Sequence, residues 1–135
     1  MTQELILANS ELELVANEIF ESKWPWKLRR LDLHGNRLTE LPRLKQTHLE
    51  ELNLSDNNLT DVDFLTALDD GHIDFDLQLK VLYLANNRIR RLGQMAFERC
   101  PAIQVLVLNN NPIMENDRQA AVALVVISKL KKLKV

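Results

Sequence analysis

The chain spells one pattern of leucines and a closing asparagine four times, and no other feature limits its fold so strongly. The copies begin at Leu28, Leu49, Leu79 and Ile103. The first reads Leu28-Arg-Arg-Leu31-Asp-Leu33-His-Gly-Asn36-Arg-Leu38, and the third Leu79-Lys-Val-Leu82-Tyr-Leu84-Ala-Asn-Asn87-Arg-Ile89. All fit L-x-x-L-x-L-x-x-N-x-L, with isoleucine standing in at some leucine positions.

The spacing has a physical meaning. In the L-x-L core, apolar and variable residues alternate, which is the period of a short strand with one buried face. Leu31 and Leu33 then point inward and Asp32 outward. Where the chain leaves the strand, a side-chain amide can bond backbone groups that a tight turn leaves unpaired. Asn36, Asn57, Asn87 and Asn111 are therefore expected to form an internal ladder. One copy cannot bury its leucine face alone, so the copies must stack and align their strands in a parallel sheet.

The register extends to both ends. Leu5-Ile-Leu7 with Ser10 and Leu12 reads as a degenerate first copy, Ser10 replacing the ladder asparagine. Leu130-Lys-Lys-Leu133-Lys-Val135 reads as a last strand. The strand leucines then fall at 5, 31, 52, 82, 106 and 133, with spacings of 26, 21, 30, 24 and 27 residues. A helix is expected over residues 13–24, with Val15, Ala16, Ile19 and Phe20 at helical spacing and Pro25 ending it. Trp24 and Trp26 beside it read as cover for the hydrophobic end of the stack. Residues 66–78 hold Asp69, Asp70, Asp74 and Asp76 and form an acidic insertion. The spacing of a calcium loop is absent there, so it reads as a solvated loop or a contact for a basic partner.

The motif resembles leucine-rich repeat proteins over nearly the whole chain. That resemblance implies an α/β solenoid, with a curved parallel sheet on the concave face and helices and irregular segments on the convex face. The tail resembles a narrower class of intracellular leucine-rich repeat proteins closed by a C-terminal cap. It includes phosphatase-regulatory subunits, the spliceosomal A-prime protein, axonemal dynein light chain and acidic nuclear phosphoproteins. The resemblance rests on Asn111-Pro112-Ile113, Arg118 opening a helix with Asn116 or Asp117 as its N-cap, and Leu130 and Leu133. Asp117 departs from it where an aromatic is usual, and so does Lys134 where an aspartate is usual. The resemblance implies a protein-binding domain with no cofactor. Its expected parts are one domain over 1–135: a first repeat at 1–27, full repeats at 28–113 and a cap of helix and strand at 114–135.

At 135 residues the chain is one domain by length. A net charge of −2 gives no general case for nucleic acid or membrane. No apolar run is long enough to span a bilayer, and no signal peptide is seen at Met1-Thr-Gln-Glu. A single cysteine, Cys100, cannot pair within the chain, which favours a reducing, intracellular setting, cytoplasmic with cytoskeletal or nuclear association left open. It reads as a small buried apolar residue. Among His34, His48 and His72, only His34 has an evident neighbour, Asp32 on the same strand face. No nucleophile joins that pair, and a concave repeat face is open to water, so no catalytic site is expected. No metal site is expected either.

The outward strand positions define the candidate binding surface. The first two full repeats present Arg30, Asp32, His34, Glu51, Asn53 and Ser55. The next two present Val81, Tyr83, Val105 and Val107, with Ala85 between. Exposed apolar side chains in one group mark a partner site, and Tyr83 is a suitable anchor. Lys132 and Lys134 are expected to continue the same columns. The leading expectation is a protein-interaction domain, monomeric alone and N-terminal in a larger scaffold or regulatory protein. The alternative is a nucleic-acid-associated role for Lys129, Lys131, Lys132 and Lys134 with Arg29, Arg30, Arg88, Arg90 and Arg91. Aromatic platforms between these basic residues are lacking, which weighs against base stacking. At the helix end the lysines also suit the negative end of a helix dipole.

Overall fold

The computed structural model describes residues 4–15, 28–41, 48–65, 77–93 and 96–133. Five short parallel strands form one sheet: β1 Glu4–Ile6, β2 Arg30–Asp32, β3 Glu51–Asn53, β4 Val81–Tyr83 and β5 Val105–Val107. Their spatial order follows the chain, β1-β2-β3-β4-β5. Leu5 pairs with Leu31, Leu31 with Leu52, Leu52 with Leu82, and Leu82 with Leu106. That is the register the leucine spacings predict. Pairing continues past each strand: the Leu54 N–H donates to the Tyr83 carbonyl at 2.8 Å and Asp56 N–H to that of Ala85 at 2.9 Å.

The leucines fill the inside of the stack. Leu31, Leu33, Leu52, Leu54, Leu82 and Leu84 are all fully buried. Leu5 and Leu7 at one end, and Leu106 and Leu108 at the other, are only partly covered. Cys100 is buried in the same core, as expected of a small apolar residue.

The asparagine ladder forms. Asn57 Nδ2 donates to the Leu33 carbonyl at 3.0 Å and to that of Leu54 at 3.1 Å. Its Oδ1 accepts from the Leu38 N–H at 3.0 Å. Asn87 repeats this with Leu54, Leu84 and Leu59, and Asn111 with Leu84, Leu108 and Ile89. Asn36 opens the series, donating to Leu7 and Leu33 and accepting from Ser10 and Leu12. The Leu33, Leu54 and Leu84 carbonyls each serve two consecutive asparagines, so amide and carbonyl alternate from one coil to the next.

A feature of the turn went unread in the sequence. The residue before each ladder position is left-handed: Asn9 (φ 53°), Gly35 (69°), Asp56 (58°), Asn86 (58°) and Asn110 (58°). Glycine, asparagine and aspartate tolerate that conformation best, and only those types occur here. At Gly35 a Cβ would also run into the Asn9 side chain.

Helix α1, Asp117–Ser128, closes the described stack. Asn116 is its N-cap, its Oδ1 accepting from the Gln119 N–H at 3.1 Å. Ala123 and Val126 face the core. The strand expected over 130–135 does not form in its described part. Lys131 and Lys132 lie in a turn, with the Leu130 N–H donating to Ile127 and the Leu133 N–H to Leu130. A spacing of three between leucines suits a tight helical turn as well as an L-x-x-L approach to a strand. Directly after a helix, the turn prevails. Lys132 therefore does not join the concave columns, and Lys134 lies outside the described residues. So do residues 16–27, with both tryptophans, and 66–76 of the acidic insertion. Glu13, Leu14 and Val15, assigned above to the first helix, are irregular.

Candidate protein-interaction face

Every strand offers its outward side chains to the open side of the sheet, and register sets them side by side. Glu4, Arg30, Glu51, Val81 and Val105 form one row; Ile6, Asp32, Asn53, Tyr83 and Val107 form the next. The rows change character between β3 and β4.

On the β1–β3 side the polar groups satisfy one another. Arg30 lies between two carboxylates, with Glu4 at 3.1 Å and Glu51 at 2.9 Å. The alternating charges along that row were visible in the sequence, but only when read across strands. Asp32 Oδ1 accepts from the His34 backbone N–H at 3.0 Å and lies 2.8 Å from His34 Nδ1. Partial burial pushes the Asp32 carboxyl up, but hydrogen bonds from the His34 backbone and ring, with the charges of His34 and Arg30, outweigh it and hold it below its usual range. Asn53 Oδ1 makes the equivalent bond to the Ser55 N–H at 3.0 Å. Just below the sheet, Glu50 contacts Lys80 at 2.8 Å and Arg29 at 3.7 Å. The hydrogen bond from Lys80 holds the Glu50 carboxyl low, against a small opposing effect of burial.

On the β4–β5 side there is no such pairing. Val81 lies beside Val105 and Tyr83 beside Val107. All four are half-buried, and Ala85 next to them is buried. The Tyr83 hydroxyl makes no hydrogen bond among the described residues. This half thus presents a small apolar floor with one amphipathic ring on it, bordered by Asn53 and Glu51.

Asp32 and His34 are in contact and the β2–β3 register sets Ser55 beside His34, but among the described residues no hydrogen bond joins that serine hydroxyl to the imidazole, and the three side chains stand on an open sheet. Among the described residues no group of three or more His, Cys, Asp or Glu side chains is placed to hold a metal ion. No helix among them is long and apolar enough to cross a membrane.

Family models described as "Leucine Rich repeats (2 copies)" and "Leucine rich repeat" match residues 26–67 and residues 63–113 and 77–134. Toll-like receptor 6 of Mus musculus is 29% identical over 82% of this chain and 13% of its own length. Tsukushi of Gallus gallus is 30% identical, over 81% and 35%. A probable U2 small nuclear ribonucleoprotein A' of Drosophila melanogaster is 32% identical, over 67% and 32%. The chain therefore spans about a third or less of the length of these curated relatives. In the crystal structure of the Drosophila melanogaster SNF/U2A' complex, a chain superposes with a TM-score of 0.62 at 18% identity, over 98% of this chain and 70% of that one.

Proposed function

Because this chain belongs to the leucine-rich repeat family, we propose that it is a non-catalytic interaction domain that holds a partner protein on its concave face. The observation that carries the proposal is the contrast across that face. Arg30, Asp32, His34 and Glu51 are engaged within the chain, whereas Val81, Tyr83, Val105 and Val107 form an apolar group on an open sheet. Covering that group would remove apolar area from water, and Tyr83 supplies a rigid ring whose hydroxyl has no partner among the described residues. The charged half would tune orientation and association rate more than affinity, because its pairs are already made. Asn53 and Glu51 at the border complete the contact surface.

We place the domain in a larger scaffold or regulatory protein, in keeping with the short share of each relative that it spans. A single buried cysteine suits a reducing compartment, cytoplasmic or nuclear. The ribonucleoprotein relative favours a second reading, a nucleic-acid-associated role for the basic C-terminal end. Ionic strength separates the two: phosphate contacts weaken steeply with salt and apolar docking does not.

The test is a pull-down with the wild-type domain beside Tyr83→Glu/Val107→Glu at low and high salt. Partners retained by the wild type at high salt and lost by the double variant, with its melting temperature unchanged, are the expected result. An identical set of bound proteins for both would overturn the concave-face assignment.

A further inference from the structure

A second apolar surface lies away from the concave sheet, at the end of the stack. Val125 on α1 is 58% exposed. Beside it the helix and the turn after it border a groove of roughly 410 Å³. Its floor is Phe97, Pro101, Val126 and Leu130; Lys129, Lys131 and Lys132 stand around it. A smaller hollow shares Val126 and Lys129 and runs along α1 to Ala121. The two adjoin at Val126 and Lys129, so apolar lining and three lysines lie along the same side of the cap.

The charges differ from those on the first coils of the stack. Arg29, Arg30, Arg37 and Lys80 are each within 4 Å of a carboxylate of this chain. Lys129, Lys131 and Lys132 make no ion pair among the described residues. Glu98, also at the groove, is the one carboxylate among its described lining residues. The lysines follow the C-terminus of α1, whose dipole accounts for favouring one nearby cation there. It does not account for a floor of apolar side chains beneath three of them.

We propose that this groove docks an acidic amphipathic peptide segment of a partner protein. Its apolar residues would occupy the floor over Phe97 and Val126, and its carboxylates would meet Lys129, Lys131 and Lys132. Charge complementarity selects the acidic partner. The concave apolar floor selects a peptide with side chains to insert, in preference to a phosphate backbone, which offers charge without apolar side chains.

The test is selection of short peptides from a random phage-displayed library on the wild-type domain, with Lys129→Glu/Lys132→Glu as counter-selection. Enriched peptides are then measured by fluorescence anisotropy, beside a single-stranded RNA oligomer and vesicles containing phosphatidylserine. The expected peptides combine Asp or Glu with Leu or Phe at helical spacing. Their affinity should fall by about tenfold or more in the charge-reversed variant, and again when their Leu and Phe residues become serine. Tyr83→Glu/Val107→Glu should bind them normally, so this groove can stand or fall without the concave site. Both lysines are exposed, and circular dichroism melts check that the variant folds. No enrichment over the counter-selection overturns the proposal, as does serine substitution without effect. Binding of the RNA or the vesicles without the peptides also overturns it.

Discussion

The middle of the stack and its two ends are built from the same motif and come out differently. Leu52, Leu54, Leu82 and Leu84 each have a coil on both sides and are wholly buried. Leu5, Leu7, Leu106 and Leu108 occupy the same motif positions with a described strand on one side only, and remain partly open. The ladder shows the same asymmetry at its first coil, while Asn111 on the last described coil keeps the full set of bonds. Asn57 and Asn87 each bond carbonyls of two coils and a turn N–H, whereas among the described residues the Ser10 hydroxyl bonds only the neighbouring Ala8 carbonyl. A motif residue in such a molecule has no fixed worth. Its contribution depends on whether a neighbouring coil is present, as expected where stability is a sum of repeats and the interfaces between them.

The largest expected effect tests that difference directly. Leu82→Ala removes a fully buried side chain between two coils that cannot easily collapse, and should cost about 3–5 kcal/mol. Leu106→Ala makes the same chemical change one strand along, at the edge, and should cost about half as much. Urea denaturation of both variants measures the gap. Equal costs would mean that the end is as tightly packed as the middle, and the comparison would fail.

Next comes the ladder. Asn87→Leu fits an apolar side chain into an apolar setting, so it isolates the hydrogen bonds. The Leu54 and Leu84 carbonyls keep partners in Asn57 and Asn111, but the Leu59 N–H loses the amide oxygen that accepts from it. One stranded buried donor and the lost shared bonds should cost about 2–3 kcal/mol. Ser10→Ala, at the open end, should cost well below 1 kcal/mol, about the scale of an exposed hydrogen bond. Thermal melts of the two variants read the contrast. A near-wild-type melt for Asn87→Leu would mean that the ladder is ornamental.

How much of this was legible in the residues follows the same division. In the middle, each copy of the motif describes a neighbour as well as itself, so the register of Leu31, Leu52, Leu82 and Leu106 and the four ladder asparagines could be read directly. The outward columns came with them, including the apolar group of Val81, Tyr83, Val105 and Val107. At the ends the motif has no neighbour to specify. Leu130 and Leu133 kept the spacing and lost the strand, because a turn after α1 satisfies the same spacing locally. One further feature was written in the sequence and missed. The run of Asn9, Gly35, Asp56, Asn86 and Asn110 before the ladder was a conformational signal. The Glu4-Arg30-Glu51 row belongs to those same columns, and the structure adds that Arg30 pairs with both carboxylates.

The smallest expected effect lies on the surface and links coils by charge. Glu50 joins Arg29, on the coil before it, to Lys80, on the coil after it. The Lys80 hydrogen bond, with the charges of Lys80 and Arg29, keeps the Glu50 carboxyl below its ordinary value of 4.5. A carboxyl depressed in the folded state contributes stability that is fully present above its unfolded value and is lost as pH falls through its folded one. The domain should therefore melt at lower temperature as pH drops below about 4.5. Glu50→Gln should lower the melting temperature slightly at neutral pH and scarcely at all once the wild-type carboxyl is protonated. The pair is partly exposed, so salt should also shrink the neutral-pH difference. Buried leucines and amides carry no charge for salt to screen, so the Leu82→Ala and Asn87→Leu deficits should persist at high ionic strength. A Glu50→Gln deficit that salt leaves untouched would place this carboxylate with the interior of the stack, not with its surface.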